Sequence, residues 1–62
     1  MSYHKILFIP PVGAILEEHD NVSEISAKER AKSWAASLKN SGRSGRVEVL
    51  NSLGQWVDIT TV

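Results

Sequence analysis

The sequence predicts a small α+β domain: an antiparallel sheet of three or four strands with one helix packed on one face, in the order β-(β)-α-β-β. Three observations carry this. Ser26 to Gly42 holds a capping signal, an apolar stripe and a stop signal in the right order for a helix. Arg46-Val47-Glu48-Val49-Leu50 and Gln55 to Thr61 alternate around an Asn51-Ser52-Leu53-Gly54 turn, as a β-hairpin does. Tyr3 to Ile9 is an apolar run stopped by Pro10 and Pro11, so it reads as a strand rather than a helix.

In chain order, Ile6 to Ile9 is continuous rather than alternating, which fits a strand covered on both faces or one whose second face meets a partner. Pro10-Pro11-Val12-Gly13 has turn chemistry. Ala14-Ile15-Leu16-Glu17 is then a short strand folding back on the first, or an irregular apolar link, with the strand favoured. Glu18-His19-Asp20-Asn21 reads as a polar loop. Ser26 and Glu29 spell a capping box, in which each side chain meets a free backbone N–H at the helix start. Ile25, just before that cap, suits a hydrophobic staple.

Ala27, Ala31, Trp34, Ala35 and Leu38 recur at helical spacing, with Trp34 the one large side chain and the expected central anchor of the core. Gly42 suits the left-handed position that closes a helix. Ser41 to Gly45 reads as a flexible link. In the last strand, Val57, Ile59 and Thr61 share one face, and Trp56, Asp58 and Thr60 the other. The place of the first strand is not legible. If it runs parallel to Arg46–Leu50, the last strand lies between the two.

Composition bounds the function. The 62 residues make one domain, 1–62, and about 60 residues hide only about 60% of their unfolded surface, so a partner or a second copy is a natural supplement. At 42%, hydrophobic residues suffice for a small core and argue against disorder. The absence of cysteine excludes disulfides and thiolate metal sites. Only four clearly apolar residues precede Pro10, too few for a signal-peptide core or a membrane span, so a cytoplasmic protein without membrane contact is expected.

Charge is zero overall but segregated, with a balance of −3 over residues 1–24 and +3 over residues 25–62. Ordinary helix-dipole matching accounts for that. The sharper reading is a basic edge of Lys28, Lys32, Lys39, Arg43 and Arg46, suited to phosphate and hence to nucleic acid. Only Trp56 and Tyr3 offer rings for base stacking, and neither is interleaved with the basic residues.

Gly42-Arg43-Ser44-Gly45 has the spelling of a GxxG nucleic-acid loop, but such a loop joins two helices and here a strand follows. Glu17, Glu18, His19 and Asp20 are adjacent and have no second cluster to complete a metal or acid–base site. His4, in the first strand, reads as a satisfied structural histidine. No cofactor, metal or catalytic residue is expected. Trp56 is the leading contact residue, since exposed aromatics on a sheet face are frequent recognition anchors. Cross-strand packing within the hairpin is the plainer alternative. Tyr3 and Asp58 join Trp56 as candidate partner contacts.

The stretches Ala27-Lys28-Glu29-Arg30-Ala31-Lys32-Ser33-Trp34-Ala35 and Val47-Glu48-Val49-Leu50-Asn51-Ser52-Leu53-Gly54-Gln55-Trp56-Val57 resemble the small βαββ proteins encoded by bacteria and their phages, a group that includes anti-CRISPR-type inhibitors. The resemblance is one of architecture over residues 26–59 and carries over no binding residue. It implies a short cytoplasmic protein that docks on a larger machine. Three functions follow as expectations: a non-enzymatic protein-interaction module, such as a phage or prophage inhibitor of a host complex; a nucleic-acid-binding accessory domain; and a homodimeric structural protein.

Overall fold

A computed structural model describes residues 3–62; Met1 and Ser2, part of the expected domain, lie outside it. The elements are β1 (His4–Ile9), β2 (Leu16–Asp20), α1 (Glu24–Asn40), β3 (Arg46–Asn51) and β4 (Trp56–Thr61). They form the α+β architecture expected, with one four-stranded sheet in the order β2-β1-β3-β4. Every neighbouring pair is antiparallel.

β1 and β3 therefore run antiparallel as direct neighbours, and β4 lies at the edge, not between them. The reason is β2. It spans Leu16–Asp20, further along than residues 14–17, and takes in most of what reads as a polar loop. By pairing His4 with Asp20 and Phe8 with Leu16, it returns the chain to the starting end of β1 before the helix begins. α1 then crosses from β2 to β3, which are parallel to one another with β1 between them.

The helix starts three residues before the spelled capping box. Ser23 is the cap: its backbone is extended (φ −165°, ψ 166°), and its Oγ accepts the Ser26 N–H at 3.0 Å. Ala27 N–H donates to the Ser23 carbonyl at 3.0 Å, the first helical bond. Ser26 therefore lies inside the first turn, its hydroxyl donating to Asp20 Oδ2 at 2.8 Å, and the Ser26–Glu29 box does not form. Ile25 points to solvent and staples nothing. The stop is as expected. Gly42 has φ +76°, its N–H reaches the Lys39 carbonyl, and the Arg43 N–H reaches that of Leu38, each at 3.0 Å. Those two bonds make a Schellman closure.

Ala27, Ala31, Ala35 and Leu38 of α1 pack on Ile6, Phe8, Val47 and Val49 of the sheet. Trp34 is not the centre of this core. Short alanine side chains let the helix lie close, so Phe8 from β1 fills the middle and the indole lies half-buried beside it. Their ring centroids are 6.3 Å apart, edge to face. Burial of each large aliphatic or aromatic side chain here contributes roughly 1.5–3 kcal/mol.

The Ser41–Gly45 segment ends in a fixed position rather than a loose link. Gly45 exchanges both backbone hydrogen bonds with Val62, at 3.2 and 2.9 Å. A Cβ on Gly45 would stand 2.5 Å from the Ile9 carbonyl oxygen and 2.8 Å from the Phe8 ring. In the hairpin, Asn51 Oδ1 accepts the N–H groups of Leu53 (2.9 Å) and Gln55 (3.0 Å), and Gly54 takes φ +79°.

β1 is not covered on both faces. His4, Ile6 and Phe8 point to the helix, whereas Lys5, Leu7 and Ile9 point to a face that no other element covers among the described residues. β4 departs from simple alternation. Asp58 opposes Val49 and Trp56 opposes Leu50, which leaves Val57 as the extra residue of a β-bulge. Past the bulge the faces change sides. Val57 packs on the core, and Asp58 and Thr60 lie on the helix side. Ile59 and Thr61 join Trp56 on the open face rather than sharing one with Val57.

Candidate functional site

The register places the residues of the open face in rows. One runs His19, Lys5, Leu50, Trp56 across β2, β1, β3 and β4; the next runs Glu17, Leu7, Glu48, Ile59; the third runs Ile9, Arg46, Thr61 across the last three strands. Leu7, Ile9 and Leu50 are half-buried there, and Trp56 and Ile59 are exposed.

At the centre of this uncovered face is a buried carboxylate. Glu48 is only 5% exposed. The Trp56 indole Nε1–H donates to Glu48 Oε1 at 3.1 Å, and an Arg46 guanidinium nitrogen lies 3.6 Å from Oε2. Buried carboxylates are kept only where donors reach them, since an unpaired polar group in such a place costs about 1–3 kcal/mol. The indole itself remains 68% exposed. Trp56 is thus held in one orientation while its ring still faces water. The plain expectation of cross-strand packing is met through Glu48, two strand positions from Leu50, and leaves the ring available.

Tyr3, half-buried, lies at the opposite margin, its ring 5.3 Å from His19 and tilted by 52°. His19 Nε2 meets Glu17 Oε2 on the same face. Asp58 lies on the helix side of β4, and its Oδ1 accepts the Ile59 N–H at 3.0 Å. Of the three candidate contacts, the structure therefore puts Trp56 on the open face, Tyr3 at its margin and Asp58 behind it.

The five basic residues do not form one edge. Lys28 is 3.7 Å from Glu24, and Arg46 lies on the open face against Glu48. Arg43 stands beyond the helix end, lining a cleft with Phe8, Pro11 and Leu16. Only Lys32 and Lys39 share a place, the groove between α1 and β4. The acidic cluster is dispersed in the same way, because strand alternation sends Glu17 and His19 to one face and Glu18 and Asp20 to the other.

Two residues have roles that the sequence reading did not give them. Asp20 is 2% exposed and joins β2 to the helix start. It accepts from the N–H groups of Val22 (2.8 Å) and Ser23 (3.4 Å), the Ser26 hydroxyl (2.8 Å) and Arg30 Nε (3.2 Å). The Val22 amide, then the Ser26 hydroxyl, Arg30 and Ser23, hold its carboxyl down at about 2 against the ordinary 3.8, although burial pushes the other way. Its signal was an Asp three residues before a Ser cap, the spelling of an Asx turn. Glu48 is the other; alternation sends it to the face opposite Val47 and Val49, and nothing in the sequence marks it as buried there. His4 is buried, but its Nδ1 has no hydrogen-bond partner among the described residues, so it is not the satisfied histidine expected.

No family model matches this sequence, and no curated protein or solved structure matches it.

Proposed function

We propose that this chain is a non-enzymatic protein-interaction module that docks on a larger protein through the open face of its sheet, with Trp56 as the anchor. The observation that carries this is the Trp56–Glu48 hydrogen bond on a face that has no second layer among the described residues. An exposed side chain that is already oriented escapes the roughly 0.5–1.5 kcal/mol of ordering that binding otherwise costs. Leu7, Ile9, Leu50 and Ile59 around it supply apolar area, and Lys5, Glu17 and Arg46 supply a polar rim. A protein of this size that works by docking acts by covering a surface of its target, which is how an inhibitor of a host complex, of the kind phages and prophages encode, would work.

The test compares tagged wild-type chain with Trp56→Ala and with the helix-surface variant Ser33→Ala, in capture from nuclease-treated bacterial lysate. Circular dichroism verifies that both variants fold. A protein retained by wild type and Ser33→Ala but lost with Trp56→Ala is the expected result. Equal capture by a folded Trp56→Ala chain refutes the docking role. Capture that disappears with nuclease favours nucleic acid instead.

A further inference from the structure

The exposed edge of β4 is the most specific feature left over. Gly45 and Val62 exchange both backbone hydrogen bonds. Such pairs alternate along an antiparallel ladder with pairs whose N–H and C=O groups point away from the partner strand. Val47–Thr60 and Val49–Asp58 are therefore the bonded pairs, and the amide and carbonyl groups of Ile59 and Thr61 point out of the sheet. The Ile59 N–H is met there by Asp58 Oδ1, as an outward amide requires.

Among the described residues, no strand lies beyond β4. Its sequence, Trp-Val-Asp-Ile-Thr-Thr, is rich in strand-favouring residues and has no Lys, Pro or Gly to blunt the edge. On the helix side, Lys32 and Lys39 line the groove along β4 beside Ala36 and Thr60, and neither makes an ion pair among the described residues. On the other side stand Trp56 and Ile59. A strand laid on this edge would present alternate side chains to two unpaired ammonium groups and to two exposed apolar groups.

We propose that β4 accepts an extended acidic segment of a partner protein as a fifth strand, with its carboxylates toward Lys32 and Lys39 and its apolar side chains beside Trp56 and Ile59. This rests on the docking role proposed above and states the chemistry of the partner. Asp58 is the guard of the edge: it satisfies the Ile59 N–H until a carbonyl replaces it. A second copy fits less well. Pairing β4 with its own two-fold mate sets the Lys32 and Lys39 flanks of both copies toward each other, and like charges so placed repel. The acidic strand β2 of another copy has Glu18 and Asp20 already held by Arg30.

The experiment titrates the full 15N-labelled chain with a blocked heptapeptide of alternating valine and glutamate, and separately with its valine–lysine counterpart. Amide shifts and hydrogen exchange are read at Ile59 and Thr61. The glutamate peptide is expected to shift both amides and slow their exchange. The lysine peptide should bind roughly tenfold more weakly, as two exposed ion pairs allow. Lys32→Glu with Lys39→Glu should reverse that preference, and Asp58→Ala should tighten binding of the glutamate peptide. No change at Ile59 and Thr61 with millimolar peptide overturns the proposal. So do shifts at these amides that grow with protein concentration alone, which would mark a second copy as the occupant. Shifts confined to Leu7, Leu50 and Trp56 and indifferent to the lysine reversal overturn strand addition while leaving docking by the open face intact.

Discussion

Gly45→Ala separates a loose linker from a fixed junction. Were Ser41–Gly45 a free link, alanine would restrict the unfolded chain and stabilise the protein by about 0.4–1 kcal/mol. The structure demands the opposite. Gly45 has φ +150°, in a region nearly closed to other residues, where occupancy costs on the order of 1–3 kcal/mol. The added Cβ would also stand 2.5 Å from the Ile9 carbonyl oxygen, a backbone atom, and 2.8 Å from the ring of fully buried Phe8. Relief requires moving β1 or opening the Gly45–Val62 hydrogen-bonded pair, at a further 0.5–1.5 kcal/mol or so for each bond. The loss is therefore about 2–6 kcal/mol. At about 0.05–0.15 kcal/mol per residue, a domain of this length has about 3–9 kcal/mol in total, so a large share of its stability is at risk. Urea unfolding followed by circular dichroism and tryptophan fluorescence measures it. Gly54→Ala is the control, since its φ of +79° carries strain but nothing lies within 4 Å of the new Cβ. Gly45→Ala within about 0.5 kcal/mol of wild type, or milder than Gly54→Ala, refutes the argument.

Three further outcomes follow from named contacts. Trp56→Phe keeps a ring but removes the donor to Glu48, and should lower stability by about 1–3 kcal/mol in urea unfolding, since the carboxylate is left buried without it. Asp20 has its folded-state pKa depressed to about 2 from an ordinary 3.8, so the stability it contributes is present above about pH 4 and is lost as pH falls toward 2. Thermal melts from pH 6 to pH 2 should show that loss, and Asp20→Asn should flatten it. Ser23→Ala should cost about 1 kcal/mol as a lost helix cap, whereas Glu29→Ala should change stability by less than about 0.5 kcal/mol because its capping box is not formed. Equal costs for the two, by chemical denaturation, would put the helix start back at Ser26.

The legible parts of the fold were those written within a few residues. Gly42 ends the helix because its own φ and the two carbonyls one turn back settle the matter. Asn51 and Gly54 close the hairpin from inside the turn. Other positions were misplaced because a distant residue competed for a group that looked locally committed. Ser26 is not the cap because Asp20, on β2, gathers the Ser23 amide and the Ser26 hydroxyl together and Ser23 starts the helix three residues earlier. Trp34 yields the core centre to Phe8 because alanines bring the helix close to the sheet. The five basic residues read as one edge, yet Glu24 and Glu48 draw off two of them and the chain path carries Arg43 away.

By itself the sequence determined the architecture class, the helix stop, the closing hairpin and the presence of an indole at position 56. Turn geometry and residue alternation are local properties, and local properties survive without knowledge of the neighbours. Only the tertiary structure decided the strand order, the bulge opposite Leu50 and the burial of Glu48 beneath Trp56. Strand side chains alternate with a period of two, so one extra residue at Val57 is enough to send Ile59 to the opposite face. That displacement arises from pairing between strands, and it puts Ile59 beside Trp56 on the open side of the sheet.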